Sequence, residues 1–562
     1  MAFLLMQTRF VVVLGSLMSG LGKGVVTSSI LKLLDLYNYR ALPLKFDGYL
    51  NMDAGTMNPY QHGEVFVLND RSEVDMDFGM YERFLGRDLT GDLSITGGKI
   101  FSKVISKERT GDYLGEDVQI IPHLTGEIVR WLENVSEEKK IDVLVIEVGG
   151  TVGDLENGYF IEAMRQLALK RKVVFVNLTY LPTNSGEQKT KPTQLAFRTL
   201  MQLGIRPDFL VCRCSGRIKE KTKEKLALFT NLTQERIIND SNTKSIYELP
   251  LQLLAQNFDK MLLKDLGLEE RGMDNAALEK FRGNVDKILN PAKTINIAAV
   301  GKYTGTDDTY VSVKEAVVHA AAIFGARPNI AWLDSSGLDD LDDEGIAKVL
   351  SGFDGIIVPG GFGKRGVEGK IKAIKYARLG KVPYLGLCLG LQLMVIEFAR
   401  NVCGLDGANS TEFDGNAKHN VVDLMPEQRG LKEKGGSMRL GSYACVIRNA
   451  GTMAFKAYQS SNIEERHRHR YELNNEYRKV LQDNGLVISG VSPDDSLVEI
   501  VEWGEGFGIG TQAHPEFKSR PGSPSPLFKS FVSACMSFQE RKDLSSAAAW
   551  RTPAFEEPAS LT

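Results

Sequence analysis

The sequence predicts an α/β protein of two domains, each built around a largely parallel sheet, and three observations lead there. The chain has 562 residues, several times the roughly 150 of a typical domain. Apolar runs of strand length alternate with segments of helical length, the pattern of a parallel sheet covered by helices on both faces. In each half of the chain one such run feeds directly into a glycine-rich turn that opens a helix. Hydrophobic residues make up 43% and charged residues 25%, with 55 Gly and 19 Pro, which excludes a disordered, collagenous or coiled-coil chain. Lys+Arg 68 against Asp+Glu 71 leaves a net charge of -3, so no bulk positive field exists for nucleic acid or an anionic membrane. Six Cys (212, 214, 388, 403, 445, 535) without C-x-x-C pairs fit neither a disulfide framework nor a zinc site, and we expect a reducing cytoplasm.

Taken in order, the apolar start Ala2–Met6 and Phe10–Leu14 lacks a basic leader and is interrupted by Arg9, so it reads as a buried first strand rather than a signal peptide. No apolar run reaches the ~20 residues of a membrane helix. Strands are expected at Phe10–Leu14, Val143–Val148, Val173–Leu178 and Phe209–Cys212, and in a second series from Ile295 (INIAAVGKY) through Gly355–Pro359 and Pro383–Gly390. The expected organisation is a first domain over residues 1–265, a polar linker over 266–294, a second domain over 295–542 and a disordered tail over 543–562 rich in Ser, Ala and Pro.

The first strand runs into Gly15-Ser16-Leu17-Met18-Ser19-Gly20-Leu21-Gly22-Lys23-Gly24, ahead of a helix over Val25–Leu36. Glycines let backbone N–H groups curl around a phosphate, the helix N-terminus adds positive potential and the lysine adds a charge. This P-loop-like turn departs from G-x-x-x-x-G-K-[ST]: Leu17 stands where the first Gly would be, and Gly24 follows the lysine. A triphosphate used in chemistry needs Mg²⁺ and a carboxylate or two, for which Asp75, Asp77 and Glu147 are the candidates. Glu147 ends its strand before Gly149-Gly150-Thr151-Val152-Gly153-Asp154, at the sheet edge where ligands collect. Lys189-Thr190-Lys191-Pro192-Thr193-Gln194 is a second basic, hydroxyl-rich loop suited to a polyphosphate.

In the second half, Gly386-Leu387-Cys388-Leu389-Gly390 lies between a strand and the helical run Leu391–Arg400, a cysteine version of the G-x-S-x-G elbow. A thiol at a helix N-terminus is activated towards the thiolate. His514, with Glu516 two residues on to orient it, completes a Cys-His-Glu triad, and Pro359-Gly360-Gly361-Phe362-Gly363 offers N–H groups for an oxyanion. Arg466-His467-Arg468-His469-Arg470 is the most basic run; in extended chain its arginines share one face and its histidines the other. An anion, nucleic acid or a metal could be its ligand, and a guanidinium clamping a substrate carboxylate is the reading that fits the overall charge.

SGLGKG, NMDAGTMNPYQHGEVFV, YERFL, KERTGDYLG, VQIIPH, EVGGTVGDLE, SGEQKTKPTQ, VPGGFGKRG, GLCLGLQ, ANSTEF, GGSMRLG, ERHRHRYE and AHPEF together resemble the CTP synthase family over residues 9 to 540. The resemblance implies a synthase domain, where ATP phosphorylates the 4-oxygen of UTP before ammonia displaces phosphate, joined to a class I glutaminase domain. It implies that Ser19, Gly20, Leu21, Gly22, Lys23, Gly24 and Lys45 meet the nucleotides, with Lys23 on ATP phosphates, and that Asp77 and Glu147 hold Mg²⁺. Lys189, Thr190, Lys191, Pro192, Thr193, Gln194 and Lys225 join Ser19 on UTP, and Asp154, Leu155 and Glu156 face the pocket used by inhibitory CTP. Gly361, Leu389, Gly390, Leu391, Gln392, Glu412 and Arg470 bind glutamine, and His62 lies beside an ammonia passage. GTP activation and homotetramers that can stack into filaments also come with the family. The chain departs from it at Gly15-Ser16, where two glycines are usual, at Met80, where a His is usual, and at Asn242-Thr243-Lys244, where Asp-x-Asp is usual.

Overall fold

Seven parallel strands form the first sheet of the molecule, seen in a computed structural model that describes residues 8–302, 308–425, 428 and 437–549. The chain divides into two units, residues 1–57 with 65–289, and residues 58–64 with 290–562. Ala2–Met6 lies outside the described residues, and the first strand starts at Arg9.

In the first unit the strands are β1 (Arg9–Gly15), β2 (Ala41–Asp47), β3 (Ser94–Thr96), β4 (Val143–Val148), β5 (Val173–Tyr180), β6 (Phe209–Cys214) and β7 (Ile237–Ser241). Their order is β7-β6-β5-β1-β4-β2-β3, with every neighbouring pair parallel. β1 is buried on both faces from Phe10 onward, as its unbroken apolar run requires of a central parallel strand. Phe10, Val12, Leu14, Leu44, Phe46, Leu144 and Ile146 share one core with Phe160, whose ring stacks on Phe46 at 4.3 Å. The helices that matter for the site are α1 (Lys23–Leu36), α2 (Asp77–Leu85), α3 (Lys191–Gln202) and α4 (Glu220–Thr230). Within the stretch read as a linker, α5 (Asn275–Leu289) is a helix whose Phe281 and Val285 pack on Phe84 and Tyr247. Its polar residues belong to the exposed face of an amphipathic helix.

The second unit holds a nine-stranded sheet. Its strands are β8 (Lys293–Gly301), β9 (Ala326–Asp334), β10 (Gly355–Val358), β11 (Tyr384–Leu387), β12 (Arg439–Ile447), β13 (Asn462–His469), β14 (Val487–Val491), β15 (Val498–Glu502) and β16 (Gly508–Thr511). The order is β9-β8-β10-β11-β16-β15-β14-β12-β13, parallel from β9 to β16 and antiparallel from there to β13. Helices α6 (Val367–Leu379) and α7 (Leu389–Asn401) follow β10 and β11, and α8 (Pro526–Ala549) closes the chain. Asp543–Ala549, read from the sequence as the start of a tail, continue α8, and the rest of that stretch lies outside the described residues. The short segment 58–64 is held to this unit: the Tyr60 hydroxyl donates to the Lys302 carbonyl at 2.9 Å, and Glu64 accepts from the Ser312 amide at 3.2 Å. No helix among the described residues is long and apolar enough to cross a membrane.

Candidate active sites

In the first unit β1, β2, β4 and β5 all end on one edge, and the loops that follow them carry the charged residues, as a parallel sheet places them. The turn after β1 brings Lys23 back over the sheet, where its ammonium donates to the Gly150 carbonyl at 2.7 Å. Burial lowers the Lys23 pKa despite the attraction of Glu147. Leu17 sits at φ +84, left-handed backbone that a leucine adopts at a cost of about 1–3 kcal/mol, so the loop keeps its curl where the sequence lacks the usual Gly. The second departure has a steric cause. A side chain on Gly24 would collide with the Asp77 carboxylate, so the Ser or Thr of the standard pattern has no room there.

Lys45, 5% exposed on β2, is the hub of this centre. Its ammonium meets Asp75 at 2.8 Å, Asp47 and Glu147 at 3.9 Å each, and Asp77 most closely. These carboxylates hold Lys45 well above the usual lysine range against the burial that would lower it. Burial and the neighbouring Asp77 push the Glu147 carboxyl up to about 7, and burial pushes Asp47 to about 7 against the pull of Lys45. Asp77, though buried, is held below its ordinary value by Lys45. The Tyr81 hydroxyl donates to Glu147 at 2.5 Å. Four carboxylates therefore face two lysines, and three of the four, Asp47, Asp75 and Glu147, are pushed towards keeping a proton: the group is short of positive charge. Among the described residues no set of three or more His, Cys, Asp or Glu is placed to cage a metal. Mg²⁺ takes one or two carboxylates and fills its shell with water and phosphate oxygens. Asp77 beside Glu147 fits that donor set.

After β5 the hydroxyl-rich loop divides by burial. Thr190 and Thr193 are buried and bonded to their own chain, Thr190 through Gln194 at 3.0 Å and Thr193 to the Tyr180 carbonyl at 3.1 Å. Lys189 and Lys191 are exposed; Lys189 pairs with Glu187 at 2.6 Å, and Lys219 and Lys225 add positive potential there. Pro192 lies in the first turn of α3, where its missing N–H costs nothing. Asp154 accepts from the Thr151 amide at 3.0 Å and Leu155 is 93% exposed, so this turn presents an apolar side chain to solvent.

In the second unit Cys388 is the elbow between β11 and α7, at φ +50. Only glycine fits around it: a side chain on Gly390 would strike the Val358 carbonyl, and one on Gly386 would come 2.7 Å from Gly390. Sγ lies 3.5 Å from Gln512 Nε2 and 3.7 Å from the Arg468 carbonyl. His514 Nδ1 is 2.7 Å from Glu516 Oε1, and the ring stacks on Phe517 at 5.1 Å. Burial alone would lower the His514 pKa, but Glu516 and Cys388 together push it up to about 10. The imidazole is thus an imidazolium at neutral pH, oriented by Glu516 and favoured by the nearby Cys388. β13 supports both partners through its backbone, since the His514 amide donates to the Arg466 carbonyl at 2.7 Å.

Gly360 faces the same pair: a side chain there would lie 2.8 Å from the His514 ring and 3.7 Å from Cys388 Cβ. Gly361 adjoins Leu389, and Glu412 accepts from the Gly363 amide at 2.6 Å. Gln392 donates to the Tyr471 carbonyl at 2.8 Å and reaches Gln512 at 3.3 Å, while Gly390 and Leu391 build the first turn of α7. Arg470 donates to Gln428 at 2.8 Å and Ser437 at 3.0 Å. The basic run is otherwise interior. Arg466 is fully buried, and His467 and His469 form a buried pair 3.1 Å apart, both held well below the usual histidine range by burial. Gly435 and Gly436 of the GGSMRLG motif lie outside the described residues.

Several residues at these centres were not singled out in the sequence. Asp47 and Tyr81 join the Lys45 cluster, Gln512 touches Cys388, and Lys302 holds the Gly363 loop. Gln512 had a signal, two residues before His514 in the same loop; Asp47 had one, two residues after Lys45 on the same strand face.

Residues 9–268 match the family described as CTP synthase N-terminus, and residues 306–534 match glutamine amidotransferase class-I. The CTP synthase of Caldanaerobacter subterraneus subsp. tengcongensis is 48% identical over 539 residues, covering 95% of this chain and 99% of the relative. That of Carboxydothermus hydrogenoformans is 49% identical over 536 residues, covering 94% and 99%. A solved glutaminase domain of Trypanosoma brucei CTPS with bound acivicin is 41% identical, covers 43% of this chain and 94% of its own, and superposes with a TM-score of 0.41.

Proposed function

The chain belongs to the CTP synthase family, an ATP-dependent ligase that aminates UTP to CTP with nitrogen from glutamine, and we propose how its two centres share that reaction. The observation that carries the division is the pairing of two unlike sites: a Cys388–His514–Glu516 set in one unit, its His514 held by Glu516, and in the other a phosphate-loop lysine beside an under-neutralised group of carboxylates.

In the glutaminase half Cys388 attacks the glutamine amide carbon. The N–H groups around Gly361 take up the negative charge on the oxygen, and His514 gives its proton to the departing ammonia. Water, with His514 now the base, cleaves the thioester to glutamate and frees the thiolate. Leu389, Gly390, Leu391, Gln392, Glu412 and Arg470 hold glutamine in this reading. In the synthase half Gly20–Gly24 and Lys23 cradle ATP phosphates, and Lys45 steadies the transferring group. Asp77 and Glu147 are the residues that would hold Mg²⁺, which when bound neutralises charge between the phosphates. UTP lies on Ser19, Lys189–Gln194 and Lys225; its 4-oxygen takes the γ-phosphoryl group, and ammonia then displaces phosphate. Asp154, Leu155 and Glu156 face the pocket for inhibitory CTP. Ammonia passes internally, because at neutral pH free ammonia is mostly the unreactive ammonium ion. The same reading assigns residues 1–265 to the synthase and 295–542 to the glutaminase, GTP as activator, a homotetramer able to form filaments, and a cytoplasmic setting that keeps Cys388 reduced.

The test separates the halves. Cys388→Ala is expected to lose glutamine-dependent CTP formation by at least ~10³-fold while keeping synthesis from ammonium salts, and Lys23→Ala to lose both. Glutamine-dependent activity surviving in Cys388→Ala, or ammonia-dependent activity surviving in Lys23→Ala, overturns the division.

A further inference from the structure

We propose that Lys302 is a positioning residue for glutamine hydrolysis, a buried ammonium that clamps the Gly360–Gly363 loop over Cys388. The proposal rests on the assignment of Cys388 as nucleophile. The loop roofs the reacting pair at Gly360 and is held at its other end. Lys302 Nζ donates to the Phe362 carbonyl at 2.9 Å and more closely to the Gly363 carbonyl, while Glu412 takes the Gly363 N–H at 2.6 Å. Those bonds take up the Phe362 and Gly363 carbonyls and the Gly363 N–H; none of them uses the N–H groups of Gly361 and Phe362, which the clamp thereby offers to an oxyanion.

Lys302 is 2% exposed, and both of its side-chain bonds go to carbonyls of this one loop. A buried ammonium without a carboxylate in contact is an expensive way to fill space, and an apolar side chain of the same length would pack without that cost. What the charge adds is a fixed orientation for two peptide planes. Lys370 on α6 is wholly buried and its Nζ has no hydrogen-bond partner. The charged groups that Lys302 feels are Glu412, Arg365 and Asp339; Lys370 feels Lys302, Asp334, Arg365 and Glu412. Arg365 is turned to the Lys302 carbonyl, at 2.6 Å. Burial lowers Lys302 to about 8, and burial with repulsion from Lys302 lowers Lys370 to about 7. As pH rises through 8 the clamp loses its charge and its two bonds lose their charge-assisted strength. The catalytic imidazolium keeps its proton to about 10, so a fall in rate near 8 has a different source.

Glutamate release and ammonia-dependent CTP formation are measured from pH 6.5 to 9.5 on the full chain. Lys302→Met is expected to lower kcat for glutamine hydrolysis by roughly 10- to 100-fold, somewhat less than loss of a direct oxyanion donor. The KM for glutamine and the ammonia route are expected to stay within a few-fold. Lys302→Arg, which does not titrate in this range, is expected to move the basic limb of glutamine hydrolysis to higher pH. Wild-type kcat in Lys302→Met overturns the clamp, as does a basic limb unmoved in Lys302→Arg. If Lys302→Met fails to fold, the ammonia route falls with it and the limb of Lys302→Arg decides. Cys388→Ala runs alongside: glutamine hydrolysis surviving there faults the nucleophile, whereas its loss there beside full activity in Lys302→Met faults the clamp alone.

Discussion

The two centres follow opposite electrostatic plans. Around Cys388 the charge is paired: Glu516 balances the His514 imidazolium. Around Lys45 it is not, since four carboxylates crowd two lysines and two of the four are driven to about 7. The first centre needs only its substrate, a neutral amide. The second is left unbalanced by the protein and is balanced by what binds, so its chemistry is bound to respond to cations in a way the other's is not.

Asp77→Asn tests that contrast most severely. Removing a negative charge from the crowded centre ought to ease burial yet stop the reaction, because the phosphates lose their cation; a loss of about 10³-fold or more is expected with glutamine and with ammonia alike. Near-normal CTP formation from ammonia, measured over a range of Mg²⁺ concentrations, defeats the idea. Glu516→Gln acts on the balanced centre and is expected to cost on the order of 10²-fold in glutamine-dependent turnover only. The orientation of His514 and the charge that holds its proton both weaken, so alkylation of Cys388 by iodoacetamide at pH 7 slows as well. An unchanged alkylation rate breaks that account.

The smallest effect concerns stability. Lys370 has its pKa lowered from 10.5 to about 7 in the folded chain, so above pH 7 the unfolded chain binds more protons and stability rises with pH until about 10.5. At pH 7 the buried charge is a cost. Lys370→Met removes it and is expected to stabilise the second unit by roughly 2–4 kcal/mol near pH 7, at 1.36 kcal/mol per pKa unit discounted for relaxation, with the gain shrinking towards pH 10.5. Thermal unfolding at pH 7 and pH 9.5 checks it: equal shifts at both show that the gain is packing rather than charge.

What could be seen in the sequence followed the same contrast. Cys388, His514 and Glu516 were legible because elbow and His-x-Glu are short, local patterns, each fixed by a tight turn. β1, β4, β5 and β6 were legible as predominantly apolar runs of strand length. β2 was not, because Pro43, Lys45 and Asp47 interrupt it, and those charges are there because the strand end is the site. The antiparallel half of the second sheet escaped notice for a related reason: β13 reads NIEERHRH, polar at every position but Ile463, yet Glu465, Arg466, His467 and His469 are buried. Lys302 could not be found at all from its sequence surroundings. Its function depends on a loop some sixty residues further on, and only the folded sheet brings the two together.

The collision between Gly24 and Asp77 also limits how such a sequence can drift. A hydroxyl residue at 24, one nucleotide change away in many glycine codons, is blocked while an aspartate occupies 77, and a smaller residue at 77 surrenders the carboxylate before the hydroxyl can replace it. The two positions form a single choice with no passable halfway state, so randomised libraries that vary either alone should return the parent residue, and exchange with the standard phosphate-loop pattern requires both to change at once.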